Sequence, residues 1–325
     1  MAIGCISALL SSGSAPAIAE APNSLKAAQS AFTLGRADEA LRTLDNALRS
    51  NNGNASAWSL QCRVYLAQGR WDDAVASCQR AVQIEPGSSQ FHLWLGRAYG
   101  EKARRSSMVS AYKTAKLVHT EFETAVSLDG NNREALSDLG QYYVQAPKIL
   151  GGSYSKAEEL AQRLNALDPA RAYELRAIIA ERKKNYPDAE QNYKARIAAS
   201  QSSPAATAQA WMDLGSFYRR RRRWDEMLAA LKSGVAIDTN HGPPMVDGAS
   251  TLINARREPL LAAEWLREYL GGNALSDTAP AFAVHAELGD LLKQQGDAQA
   301  ADREFAAAHA LSANYSGNAM INTGD

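Results

Sequence analysis

Around residues 204–235 the apolar positions fall three and four apart. Trp211, Leu214, Gly215 and Tyr218 share one face of a predicted helix. Five arginines, Arg219–Arg223, interrupt the pattern, and Met227, Leu231 and Gly234 then resume it. The spacing predicts two helices joined by a short turn, with a small residue where they approach closely. Such a hairpin cannot bury its apolar face alone and needs copies of itself stacked on either side. Alanine-rich stretches with a period near 3.6 dominate the remaining chain, while the alternation of a β-strand is hard to find.

The copies keep a regular interval. Ala28, Cys62 and Gly96 stand 34 residues apart in succession, as do Ala40 and Ala74, Leu44 and Cys78, and Ala47 and Ala81. Trp58, Cys62, Tyr65, Gly69, Ala74, Cys78, Ala81 and Pro86 make the fullest unit. Leu136, Leu139, Gly140, Tyr143, Ala157, Leu164 and Pro169 repeat it, and so do Leu288, Gly289, Leu292, Gly296, Ala301, Phe305 and Ala308. In period and in its aromatic-Leu-Gly-aromatic signature the chain resembles the tetratricopeptide repeat family over about residues 21–313. The resemblance implies an all-α, right-handed α-solenoid of about eight helical hairpins. The fifth and seventh units are the weakest, carried by Tyr173, Ala177, Tyr186, Ala189 and Tyr193 and by Ala249, Leu252, Ala262 and Leu266.

On this reading the array spans 20–313, followed by a polar tail over 314–325. Insertions lie near 103–112 and 145–155, the second marked by Pro147, Gly151 and Gly152. Ser155 with Glu158 reads as a capping box for the helix that follows. Asp302 and Arg303 are expected to give the last hairpin a polar, capping face. Trp94–Gly100, Gln145-Ala-Pro147 and Gly151-Gly-Ser153 are also similar to exported bacterial tetratricopeptide proteins. Over residues 90–170 they distantly resemble the regulator of microtubule dynamics proteins.

The first 19 residues carry no charged side chain. An apolar run from Ile3 to Leu10 and a small-x-small ending at Ala17-Ile-Ala19 read as a signal peptide whose basic start is missing. The protein is therefore expected to be exported, periplasmic or secreted, with a cytoplasmic location as the alternative if the segment is not a signal. No other stretch reaches the ~18 apolar residues of a membrane span. Thirty-five basic and 35 acidic side chains cancel, so no global field draws the chain to nucleic acid.

Tetratricopeptide arrays resemble clamps that hold an extended segment along the groove of their first helices. By helical phase the groove candidates are Arg63, Leu93, Arg97, Ser137, Gln141, Glu174, Ile178, Met212, Ser216 and Arg219. Relatives that grip a C-terminal carboxylate use Lys and Asn at sites that here hold Leu25, Gln29, Leu60, Gln90 and Trp94, so that clamp is not matched. Arg219–Arg223 reads either as an anion contact or as a helix end and turn. Cys62 and Cys78 fall at about the same level of one hairpin and form either a disulfide or two buried thiols. The five histidines make no metal-binding spacing, and no phosphate loop or nucleophile elbow is present. The expected function is a non-catalytic adaptor in the periplasm or cell envelope, binding a protein or peptide partner without cofactor or metal. The alternative is an envelope-assembly or polysaccharide-export component that binds a glycan or lipid-linked substrate. The oligomeric state stays open.

Overall fold

A computed structural model describes residues 20–315 and Gly317. The proposed signal segment and most of the polar tail lie outside these residues. Among the described residues, sixteen α-helices form eight antiparallel hairpins. The first four pairs are α1 (Glu20–Thr33) with α2 (Ala37–Ser50), α3 (Ala55–Gln68) with α4 (Trp71–Ile84), α5 (Ser89–Arg104) with α6 (Met108–Leu128), and α7 (Arg133–Gln145) with α8 (Tyr154–Leu167). The last four are α9 (Pro169–Arg182) with α10 (Tyr186–Ala199), α11 (Pro204–Arg220) with α12 (Trp224–Ile237), α13 (Pro243–Ala255) with α14 (Pro259–Gly271), and α15 (Ala281–Gln294) with α16 (Ala298–Leu311). Among the described residues, no helix is long and apolar enough to cross a membrane.

Local chemistry sets the helix ends. Asn54, Ser88, Asn132, Asp168, Ser203 and Asp297 each accept a hydrogen bond from a backbone N–H of the first turn that has no partner within its helix. Within a hairpin the helices come so close that the small residue of the signature is obligatory. A Cβ on Gly215 would sit 2.5 Å from Leu231 Cδ2. The opening signature is thus a packing device: Leu214 and Tyr218 are buried, and Trp211 packs at the edge of the same core.

Two long apolar clusters run through the stack, one from Cys62 to Ile179 and the next from Ala177 to Ala301. They meet in the fifth hairpin, so the core is continuous along the array. First helices also touch first helices of the next hairpin, at α1/α3, α3/α5, α5/α7, α7/α9 and α11/α13. These helices therefore line the inner surface, and their partners form the outer one.

The extra sequence in the third hairpin is mostly helix, since α6 runs for 21 residues. In the fourth, a 3-10 turn at Lys148–Leu150 lies against α6. Tyr142 Oη is within hydrogen-bond reach of two backbone carbonyls, Leu150 at 2.7 Å and Ala115 at 3.2 Å. The helix after this turn corrects the capping assignment. Ser153, not Ser155, accepts the Lys156 N–H, and Glu158 pairs with Arg176 at 3.0 Å. Gly152 and Ser153 hydrogen-bond back to Pro147 O and Tyr143 O, which starts the helix two residues earlier than the sequence motif suggests.

Asp302 and Arg303 are exposed on α16. Capping, however, is shared between the two ends of the array. The base of the eighth hairpin lies against the turn end of the first, where α16 touches α2 and a Cβ on Gly35 would meet Ala281 N at 2.6 Å. Phe282 and Ala283 join the apolar cluster of α1, α2 and α3. The described chain thus completes one superhelical turn whose ends are in contact.

Candidate partner-binding groove

The inner surface is built from one repeated position. Asp138, Asp213, Asp247 and Glu287 each stand two residues before the small residue of close approach, respectively Gly140, Gly215, Ala249 and Gly289. Gly215 and Gly289 are turned against Leu231 and Phe305 of their own hairpins and Gly140 against Leu175 of the next, so a side chain two positions earlier points elsewhere, onto the groove floor. The result is a carboxylate on the first helix of the fourth, sixth, seventh and eighth hairpins.

These carboxylates are not balanced alike. Asp138 receives Arg97 Nε at 2.6 Å, and the same guanidinium reaches Glu134 at 3.0 Å while lying over the Trp94 ring at 4.6 Å. Asp213 pairs with Arg196, which also approaches Glu174 at 3.5 Å. Farther along the array only neutral donors serve. Gln209 Nε2 donates to Asp247 at 2.8 Å, and Ser250 Oγ donates to Glu287 at 2.6 Å. Among the described residues, no ion pair engages Asp247, Glu287 or Asp290.

These last acids surround a cavity of about 380 Å³ between α11, α13 and α15. Arg219 is the one Lys or Arg among its described lining residues, against Asp213, Asp247, Glu287 and Asp290. Asp247 keeps contact with solvent, yet the surrounding walls strip water from its charged form and push its carboxyl up to about 6. Desolvation, with repulsion from Asp247 and Asp290, raises Glu287 to about 7. Glu174 is also raised by burial, with Arg196 opposing the shift.

The groove candidates divide. Met212, Ser216 and Arg219 line the cavity. Arg97 and Glu174 are on the acid-paired part of the inner face, and Gln141 and Ile178 are half-buried. Arg63 is taken up by Asp277 where the ends meet. Leu93 and Ser137 do not belong to an open groove, being 0% and 2% exposed. They precede Gly96 and Gly140 by one helical turn and so share the core-facing side. Met212 holds the same position before Gly215 and is 1% exposed, touching the cavity only with its edge. The floor position one residue later was missed, although its recurring acid is visible in the sequence.

The arginine run is mostly consumed internally. Arg220 makes a bidentate pair with Glu181 at 2.7 and 2.8 Å. Arg221 lies over Tyr186, Arg222 takes the left-handed turn conformation at φ 55°, and Arg223 binds Glu190 at 2.5 Å. His92 and His285 are each held by a glutamate of the same hairpin, Glu121 and Glu304, both at 2.6 Å. Cys62 and Cys78 are joined as a disulfide across the second hairpin, with Cα atoms 5.3 Å apart.

Comparison with known proteins agrees with this architecture. Residues 25–89 and 63–101 match the tetratricopeptide repeat family model. Superkiller complex protein 3 of Mus musculus is 25% identical over 208 residues, which span 63% of this chain but only 12% of that protein. Among solved structures, yeast Tom70 aligns over 91% of this chain and 61% of its own, with 17% identity and a TM-score of 0.54. PilW, a type IV pilus biogenesis factor, covers 68% of this chain and 96% of its own at 17% identity and a TM-score of 0.49. The family match covers residues 25–101 and the same hairpin stack continues through the rest of the described chain, which therefore folds as a tetratricopeptide-type α-solenoid.

Proposed function

We propose that the protein is a scaffold that holds a basic, extended segment of a partner protein in the groove between α11, α13 and α15. The observation that carries this reading is the imbalance along the groove floor. Asp138 and Asp213 are neutralised by arginines of the chain itself, whereas Asp247, Glu287 and Asp290 face the cavity without one among the described residues. A lysine or arginine from a partner supplies the missing charge, and each such pair gains strength from the low-dielectric walls. A preformed groove on packed helices asks little backbone change of the protein, so the cost of binding falls mainly on ordering the partner. Aromatic platforms, which a glycan would need, are represented among the described lining residues by Tyr315 alone.

The setting we propose is exported, periplasmic or secreted. The cystine between Cys62 and Cys78 supports it, because such bonds persist in oxidising compartments. No catalytic role enters this reading.

Selection from a library of nonapeptides of graded charge tests the groove assignment. Lysine- and arginine-rich peptides are expected to be retained by the wild type and lost with Asp247→Asn/Glu287→Gln. Retention of acidic or apolar peptides, or selection unaffected by the double substitution, contradicts it.

A further inference from the structure

The contact between the two ends has a defined chemistry. Asp277 sits on the loop between α14 and α15, where its carboxylate pairs with Arg63 and accepts Gln29 Nε2 at 3.0 Å. Five residues on, Phe282 is fully buried in the cluster that contains Ala28, Ala31 and Phe32, with the Tyr315 ring edge-on at 5.0 Å. Gln68 Nε2 donates to Ser312 Oγ and the Ala313 N–H donates to Asp38, both at 2.9 Å. The loop is presented rigidly, since Tyr269 Oη accepts the Ser276 N–H at 2.9 Å and donates to Ala279 O at 2.7 Å.

The turn end of the first two hairpins therefore reads two features at once, a carboxylate through Gln29 and Arg63 and an aromatic ring through Phe32 and its neighbours. Both belong to a loop and the first turn of a helix, a short linear segment rather than another hairpin face. The side chains of Arg63 and Asp277 keep 26% and 16% of their exposure, so water and ions compete with the pair. The segment's advantage over an external competitor is its tethering, equivalent to a local concentration in the ~mM range.

We propose that this turn end is a second docking surface, for an acidic partner segment with an aromatic residue five positions after its carboxylate, and that Asp277–Phe282 is its built-in occupant. The surface is separate from the groove between α11, α13 and α15 and takes the opposite charge, so it does not rest on the basic-segment reading. The two are coupled in space, because Thr278, Ala279, Ala283 and Val284 belong to the occupant region and also line the cavity. Displacing the occupant shifts that wall, and whatever binds one surface alters affinity at the other.

The test uses the full chain and a labelled peptide copying Ser276–Val284. In Asp277→Asn/Phe282→Ala the surface is vacated, and the variant should bind the peptide at least about tenfold more tightly than the wild type, in which the tethered copy competes. Small-angle scattering should show an increased radius of gyration with helical circular dichroism retained. Adding Arg63→Glu to the vacated variant should return peptide binding to the wild-type level. If the double variant loses helicity, Asp277→Asn alone carries the comparison, with a gain of about threefold expected. Equal binding by wild type and vacated protein, or binding that survives Arg63→Glu, overturns the proposal. So does a concentration-dependent wild-type dimer that leaves the peptide unbound, since the surface then serves exchange between copies.

Discussion

Glu287 is held in the folded protein with its pKa near 7, whereas an unfolded chain gives a carboxyl its ordinary value of about 4.3. Between those values the folded state binds the extra proton, so raising the pH costs stability, and the cost is complete above about pH 7. Asp213, Asp247, Asp290 and Tyr315 face the same cavity as Glu287, with Arg219 opposing them. Glu287→Gln should therefore raise the melting temperature by about 2 °C or more at pH 8 and by clearly less at pH 5, as followed by circular dichroism. An equal shift at both pH values would mean that the charge is not what the site resists. Such a carboxylate, kept at a cost to folding, accords with the proposed cationic partner. At this scale the sequence was legible for packing and less so for the site. Leu214, Gly215 and Tyr218 were recognisable because they repeat. Leu93 and Ser137 were misplaced by a single residue of helical phase, 100° around the axis, which is enough to exchange groove for core.

Successive hairpins are stapled by a contact between elements that no single repeat contains. Trp71, Tyr154, Tyr186 and Trp224 each open a second helix, and each ring is covered by a cation from the turn region of the following hairpin. Arg105 lies over Trp71 at 5.2 Å, Lys183 over Tyr154 at 5.4 Å, Arg221 over Tyr186 at 4.2 Å and Arg257 over Trp224 at 5.1 Å. Each of these cations sits beside another basic residue in the sequence, but its ring partner lies 29–35 residues earlier, across the repeat boundary. Arg257→Ala should cost about 0.5–1 kcal/mol, and a double-mutant cycle with Trp224→Ala should return a coupling of that order in urea unfolding. Additive losses would reduce the ladder to coincidence. The second hairpin carries a covalent staple as well. Reducing Cys62–Cys78 should add two hydrogens to the intact mass and lower stability by up to ~3 kcal/mol in the chain-entropy view. An unchanged mass would contradict the bond.

At the scale of the whole molecule, eight hairpins make one superhelical turn whose ends touch, enclosing a groove that is acid-paired along its middle and acid-rich toward its end. Hairpin count and stacking could be read from the 34-residue period. Closure could not, because Gln29 and Arg63 reach Asp277 across more than 200 residues with no recurring motif to announce it. The grading of charge along the groove was equally hidden, since it depends on which acids Arg97 and Arg196 happen to reach.

Titration of a lysine- and arginine-rich nonapeptide by fluorescence anisotropy, at pH 8 and pH 5.5, addresses the groove most directly. Going from pH 8 to pH 5.5 crosses the raised values of Asp247 and Glu287 and shifts both carboxyls toward the protonated form. Affinity should fall about tenfold on acidification, a loss of about 1.4 kcal/mol, and Asp247→Asn/Glu287→Gln should bind weakly at both values. Peptide affinity that is independent of pH and unchanged by the double substitution would contradict the assignment of this groove.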